Sequence, residues 1–312
     1  MNHRFKHINP ISFDSGKPGH HLLIIAGVHG DEYEPIMAVG KLIELLENDI
    51  KLLSGKITLV PIVNLPAFVN NSRTAEDQLD LARTCPGIAD GSISQSIAFE
   101  ISSLIQTVDF LIDMHTGGVL FEISAMAGYV LHPQAEVLEH QRNMARVFNL
   151  PIVWGTSPNL EGRTLSVARD ANVPAIYTEY GGGGSCKHSI VEELVEGCCH
   201  VMAYLDQMGM VSNLEDRVVY TVEDFRDQSG HLQIMHPAKI DGIFLSAIDL
   251  DDQVEEGDIL GHVHHIDGHR EAVRAVESGV VFLLRKQANV VKGDALAGIL
   301  PILEKGKRMI YE

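Results

Sequence analysis

The chain has 312 residues, 45% hydrophobic and 21% charged, a balance that supports one large globular domain or a large and a small one. With 24 basic against 42 acidic residues its net charge is −18, which argues against nucleic acid and anionic membrane surfaces as partners. No apolar run is long enough to span a bilayer, and the N-terminus lacks a signal-peptide core, so the expectation is a soluble cytoplasmic protein.

Residues 1–21 read as an edge strand and a turn, punctuated by Gly16, Pro18 and Gly19. Residues 22–28 form a continuous apolar run, the pattern of a strand buried on both faces, and the run stops at His29, Asp31 and Glu32. A helix is expected over 35–48, with Pro35 in its first turn and Ile36, Val39, Leu42, Ile43 and Leu46 at helical spacing. Residues 56–63 read as a second buried strand. From 67 to 92 periodicity is lost while Asn70, Arg73, Asp77, Asp80 and Arg83 gather. A loop this long in a compact domain is usually functional or disordered.

A helix over 93–107 precedes a third buried strand, 110–114, which ends at His115. A strand over 121–131 and helices over 134–148 and 163–172 follow. The strand 174–178 ends at Glu179, ahead of four glycines at 181–184, and a helix over 189–208 comes next. Strands alternating with helices predict an α/β sheet with helices on both faces. After Gly209 short strand patterns separated by Gly-Asp turns take over. Val254-Glu255-Glu256-Gly257-Asp258 is echoed by Val290-Val291-Lys292-Gly293-Asp294, which predicts two similar β units forming a small sandwich. The expected division is 1–212 for the α/β domain and 213–312 for the β-sandwich domain.

Polar chemistry at the carboxyl ends of buried strands is where open α/β sheets place their sites. His29, Glu32 and His115 supply two imidazoles and one carboxylate. Such a set binds zinc and leaves a fourth position for water, as catalytic rather than closed structural sites do. Glu179, at a third strand end, is placed to take a proton from water and pass it to a leaving nitrogen. Arg73 is a candidate to stabilise an oxyanion, and Arg83 to grip a substrate carboxylate with its planar fork. Each has a plainer reading: a hydrogen-bonded core His, a helix-start carboxylate, loop-edge polar residues. The coincidence of three strand ends favours the metal centre.

The motifs resemble the succinylglutamate desuccinylase/aspartoacylase family, a branch of the zinc carboxypeptidase-like hydrolases. They are Gly27-Val28-His29-Gly30-Asp31-Glu32, Asn64-Leu65-Pro66-Ala67-Phe68, Arg73, Asp80-Leu81-Ala82-Arg83, Pro86-Gly87, Asp113-Met114-His115-Thr116-Gly117 and Thr178-Glu179-Tyr180-Gly181. The resemblance implies a carboxypeptidase-like mixed sheet, with a β-rich C-terminal domain. It also implies one zinc per chain on His29, Glu32 and His115, Glu179 as general base and acid, Arg73 on the scissile carbonyl and Arg83 on the substrate carboxylate. The family pattern has Asn where this chain has Ala82, and an aromatic is common at Cys85, so the substrate pocket has diverged more than the metal centre.

The expected function is zinc-dependent hydrolysis of the linear amide in an N-acylated amino acid or similar small amine, with ester cleavage second. The alternatives are a metallocarboxypeptidase acting on peptide C-termini and a non-catalytic zinc- or ligand-binding protein. Retention of Glu179 counts against the latter. The expected partner is the small N-acyl substrate, with a homo-oligomer left open. A second His group, His262, His264, His265 and His269, reads as a solvated strand end and turn rather than a metal site. The C-terminal part also resembles biotin and lipoyl carriers. Its turn holds Glu277-Ser278-Gly279 and no Lys, so no carried cofactor is expected. The four cysteines, Cys85, Cys186, Cys198 and Cys199, show no C-x-x-C spacing, and Cys198 and Cys199, adjacent in a helical pattern, suit buried reduced thiols better than a disulfide framework.

Overall fold

The computed structural model describes residues 5–209, 215–227, 229–232, 235–301, 306 and 308–311. Strand β1 (Ile11–Asp14) leads to β2 (His21–Ile25), helix α1 (Tyr33–Asn48), β3 (Lys56–Val60) and the short α2 (Leu65–Val69). After a 3-10 turn (Leu81–Arg83) come α3 (Ile93–Ile105), β4 (Phe110–His115), β5 (Phe121–Val130), α4 (Ala135–Phe148) and β6 (Ile152–Thr156). Helix α5 (Thr164–Asp170), β7 (Ala175–Gly182), α6 (His188–Tyr204) and β8 (Tyr220–Asp224) follow.

These strands pair in the order β1-β3-β2-β4-β7-β5-β6-β8. The run β3-β2-β4-β7 is parallel, and β5 is antiparallel to β7. The continuous apolar run of β2 is explained by its place in the middle. Leu22 and Ile24 pack under α1, α4 and α6, while Leu23 and Ile25 pack under α3 and α5, and all four are fully buried. Successive side chains alternate between faces, so a strand covered by helices on both sides must be apolar at every position. Burial of this kind contributes about 1.5–3 kcal/mol per side chain. The parallel register then brings the ends of β2, β4 and β7 together.

The C-terminal region contributes β9 (Gly242–Ser246), β10 (Gln253–Val254), β11 (Ile259–His264), β12 (Arg270–Arg274), β13 (Gly279–Arg285), β14 (Asn289–Val290), β15 (Ala297–Leu300) and β16 (Arg308–Tyr311). The two sequence echoes exchange their short strands. β10 of the first unit pairs with β13 of the second, and β14 of the second pairs with β9 of the first. The units share one core that includes Phe244, Leu260, Val281 and Leu296. β12, β11, β9 and β14 form a separate antiparallel sheet. β13 pairs with β5 and β16 with β8, so the other half of the β region continues the large sheet. The expected boundary at 212/213 falls outside the described residues, and we propose the two-domain division as a description of sequence order.

Several expectations shift. The loop 67–92 holds α2 and the 3-10 turn. Pro66 in the first turn of α2 and the Asn64 side chain accepting from Ala67 N supply its start. The helix expected to reach residue 172 stops at Asp170, and that expected to reach 208 stops at Tyr204. All four cysteines are free thiols; Cys198 is buried as expected, whereas Cys199 is only half-buried. No helix among the described residues is long and apolar enough to cross a membrane.

Candidate metal centre and active site

Glu32 is the N-cap residue of α1, and His29 lies in the turn between β2 and that helix. His115 is the last residue of β4, and the β4–β7 register sets it opposite Glu179. The turns are locked to each other, because Asp31 Oδ2 accepts Val119 N–H at 3.0 Å. Gly30 packs directly on α2. A Cβ there would come within 2.1 Å of the Ala67 carbonyl carbon and Phe68 nitrogen, so only glycine allows this approach.

Glu32 sits between the two imidazoles. Its Oε1 is 2.8 Å from His29 Nδ1 and its Oε2 is 2.9 Å from His115 Nδ1. One ligand atom from each of the three residues falls within 4.8 Å of the others, the one group of this kind among the described residues. The outer ring nitrogens face carboxylates. His29 Nε2 lies 3.1 Å from Asp80 Oδ1, and His115 Nε2 lies 3.2 Å from Asp113 Oδ1. Imidazoles that bind metal are oriented in this way, one nitrogen inward and the other against a carboxylate. The buried donor set of two nitrogens and one carboxylate therefore fits a divalent metal such as zinc.

Electrostatics agree with the packing. Burial pushes the Glu32 carboxyl up, but the facing His29 and His115 outweigh it and hold the group well below the usual carboxylate range. Burial opposes a charge on His115, while Asp113 and Glu32 carry it well above the ordinary imidazole value. Glu179 goes the other way: burial raises it to about 8 against the opposing pull of His115. Its Oε2 is buried with no hydrogen-bond partner.

Arg73 Nη2 and Nε donate to Asp80 Oδ2 at 3.0 and 3.3 Å, and Arg73 Nη1 lies 3.9 Å from Glu32 Oε1. His29, Glu32, Arg73, Arg83, His115 and Glu179 all line one cavity of about 90 Å³. Ala82 lines it beside Arg83.

The catalytic-domain profile described as succinylglutamate desuccinylase/aspartoacylase matches residues 18–205, well over half of the chain. The chain belongs to the succinylglutamate desuccinylase/aspartoacylase family. One member, the N-alpha-acetyl-L-2,4-diaminobutyric acid deacetylase of Halomonas elongata, is 28% identical over 307 residues, covering 95% of this chain and 86% of that protein. The product-bound ectoine utilization protein EutE (DoeB) of Ruegeria pomeroyi superposes with a TM-score of 0.83. It is 25% identical and covers 94% of this chain and 88% of its own. A succinylglutamate desuccinylase from a Silicibacter species gives the same TM-score and coverage at 24% identity, which speaks for the fold alone.

The family motifs do not include everything the structure brings to the cavity. Arg163 lines it from the start of α5, although residues 163–172 show only helical periodicity in the sequence. Its Nη2 donates to Gly230 O at 3.2 Å, and burial with the nearby Arg83 lowers its guanidinium to about 10. Tyr177 lines the cavity from β7, in a space left by Gly128, whose Cβ would meet the tyrosine ring at 2.2 Å. Asp113 could have been found, since i and i+2 share a strand face and it stands two residues before His115. Arg83 and Arg163, which share this cavity, stand eighty residues apart in the chain and leave no local pattern. Among the second His group, His262 and His264 do share a strand face, with ring centroids 6.1 Å apart. His265 and His269 pair with Asp267 and Glu271 at the exposed turn.

Proposed function

We propose that this chain is a zinc-dependent deacylase that hydrolyses the amide bond of an N-acylated amino acid, with zinc held by His29, Glu32 and His115. The observation that carries the reading is the buried, unpartnered Glu179 oxygen beside a three-residue ligand cluster. A binding module would have no use for such a carboxylate. When bound, zinc acidifies water and polarises a carbonyl oxygen.

The chain's own residues supply the rest. Glu179, opposite His115 in the sheet register, takes the water proton and delivers it to the leaving nitrogen. Arg73, fixed by Asp80, donates to the oxyanion that develops on the scissile carbonyl. Arg83 and Arg163 present two guanidiniums to the substrate carboxylate. Asp80 and Asp113 hold the imidazoles in the ligating orientation. The name of the Halomonas relative, a deacetylase of an N-acetylated amino acid, supports the same chemistry.

The test is metal content together with turnover of an N-acyl amino acid panel. The native chain should hold about one zinc, by the ligand count, and His115→Ala should lose it. Glu179→Gln should keep zinc while turnover falls roughly 10²–10⁴-fold. Stoichiometric zinc in a His29→Ala/His115→Ala double variant would sink the assignment, as would full activity in Glu179→Gln.

A further inference from the structure

The charged groups around the cavity are not equally free to meet a substrate. Guanidiniums from Arg73, Arg83 and Arg163 face carboxylates from Glu32, Asp113 and Glu179. Each carboxylate has a task. Both oxygens of Glu32 face the histidines, and Asp113 accepts from the Thr164 hydroxyl and lies against His115. Glu179 is the base of the reading above, on which this inference rests. Among the described lining residues no carboxylate remains to receive a cationic side chain. Arg83 and Arg163 line the same cavity, and two guanidiniums there would repel a cation.

Apart from Thr116, Thr164 and Tyr177, the side chains that remain in the wall are mostly apolar, and their position is informative. Leu165 lies two residues beyond Arg163 at the start of α5. Leu232 lies two residues beyond Gly230, whose carbonyl accepts from Arg163. Both leucines line the cavity, as do Ile123 and Leu283, which face each other in the β5–β13 register. In an N-acyl amino acid the carboxylate and the side chain leave the same carbon. With the carboxylate held by Arg83 and Arg163, the apolar walls of the same cavity, Leu165 and Leu232 among them, are the surfaces left to receive the side chain.

We propose that the site takes N-acyl amino acids with an uncharged, apolar side chain seated against Leu165 and Leu232, and that it excludes cationic side chains. The substrate differs in this respect from the diaminobutyric acid derivative named for the Halomonas relative, whose second amine is cationic at neutral pH. Leu232 is the better probe, because it is only partly buried whereas Leu165 belongs to the core.

The experiment compares kcat/KM of the zinc-loaded full chain for N-acetyl-L-leucine and Nα-acetyl-L-2,4-diaminobutyrate. The leucine derivative should be favoured by at least about tenfold, the scale set by apolar pocket contacts. Leu232→Asp should lower that activity and raise the diaminobutyrate activity, reversing the order. Leu232→Asn should weaken the leucine derivative without helping the cation, which separates charge from shape. A native chain preferring the diaminobutyrate derivative, or a Leu232→Asp variant with an unchanged ratio, overturns the inference while leaving the deacylase reading intact. Calorimetric binding of both compounds to zinc-loaded Glu179→Gln gives the same comparison without chemistry. Tighter binding of the leucine derivative there supports the side-chain assignment even if turnover fails, and tighter binding of the cation overturns it.

Discussion

At the scale of single residues, Ala82 marks where this chain leaves its family's pattern. Its backbone N–H is held by Asp80 Oδ1 at 2.9 Å, in the 3-10 turn that also carries Arg83. The methyl group cannot donate to a substrate carboxylate as an Asn amide would. A hydrogen bond to a charged group contributes about 1.5–3 kcal/mol. The structure adds a further guanidinium, Arg163, to the cavity that Arg73 and Arg83 line. Ala82→Asn should therefore lower KM for a carboxylate-bearing N-acyl amino acid by about tenfold if an unmet bond remains. An unchanged or raised KM would show that Arg83 and Arg163 already satisfy the carboxylate, or that the amide crowds the pocket.

At the scale of elements, Glu223 on β8 joins four of them. Tyr129 of β5 donates its hydroxyl to Oε1 at 2.7 Å, and Arg142 of α4 donates to both oxygens at 2.8 and 3.1 Å. Arg308 of β16 donates to Oε2. Burial alone would raise the Glu223 carboxyl, but Arg142, Arg308 and Tyr129 outweigh it and bring it below the usual value. A carboxyl depressed by folding adds stability above its unfolded pKa of about 4.3 and loses it as pH falls through the folded value. Glu223→Gln should cost on the order of 2 kcal/mol near pH 7. The gap between variant and native chain should narrow as pH drops below about 4. Melting curves at neutral and acid pH measure this, and a gap independent of pH would contradict it.

For the whole molecule, the β region shapes the candidate active-site cavity. β13 pairs with residues 121–123 of β5, and Leu283 and Leu232 complete the cavity wall. Trp154 packs edge-on against Phe282 at 5.3 Å, in a cluster drawn from both parts of the chain. Removing everything after residue 209 would bare that cluster and leave residues 121–123 of β5 and the β8 side of β6 unpaired. Exposed apolar edges of this kind promote association. The truncated chain should aggregate or bind a hydrophobic dye, and should lose deacylase activity. A soluble, active piece ending at 209 would show that the β region is dispensable.

Much of this protein was legible in its sequence because local pattern carries it. The apolar run at 22–28 announces a strand covered on both faces, and the abrupt switch to His29 and Glu32 marks a strand end. The order of the motifs adds the family, and the echo between Val254 and Val290 announces a doubled β unit. Only the tertiary structure decided the rest, because the deciding contacts join residues far apart in the chain. It placed Arg163 beside Arg83, set Asp80 and Asp113 behind the imidazoles, exchanged β10 and β14 between the echoed units, and brought Leu232 and Leu283 across to the site. Periodicity reports which face of an element is buried. It does not report what that face meets, and the substrate pocket is made of those meetings.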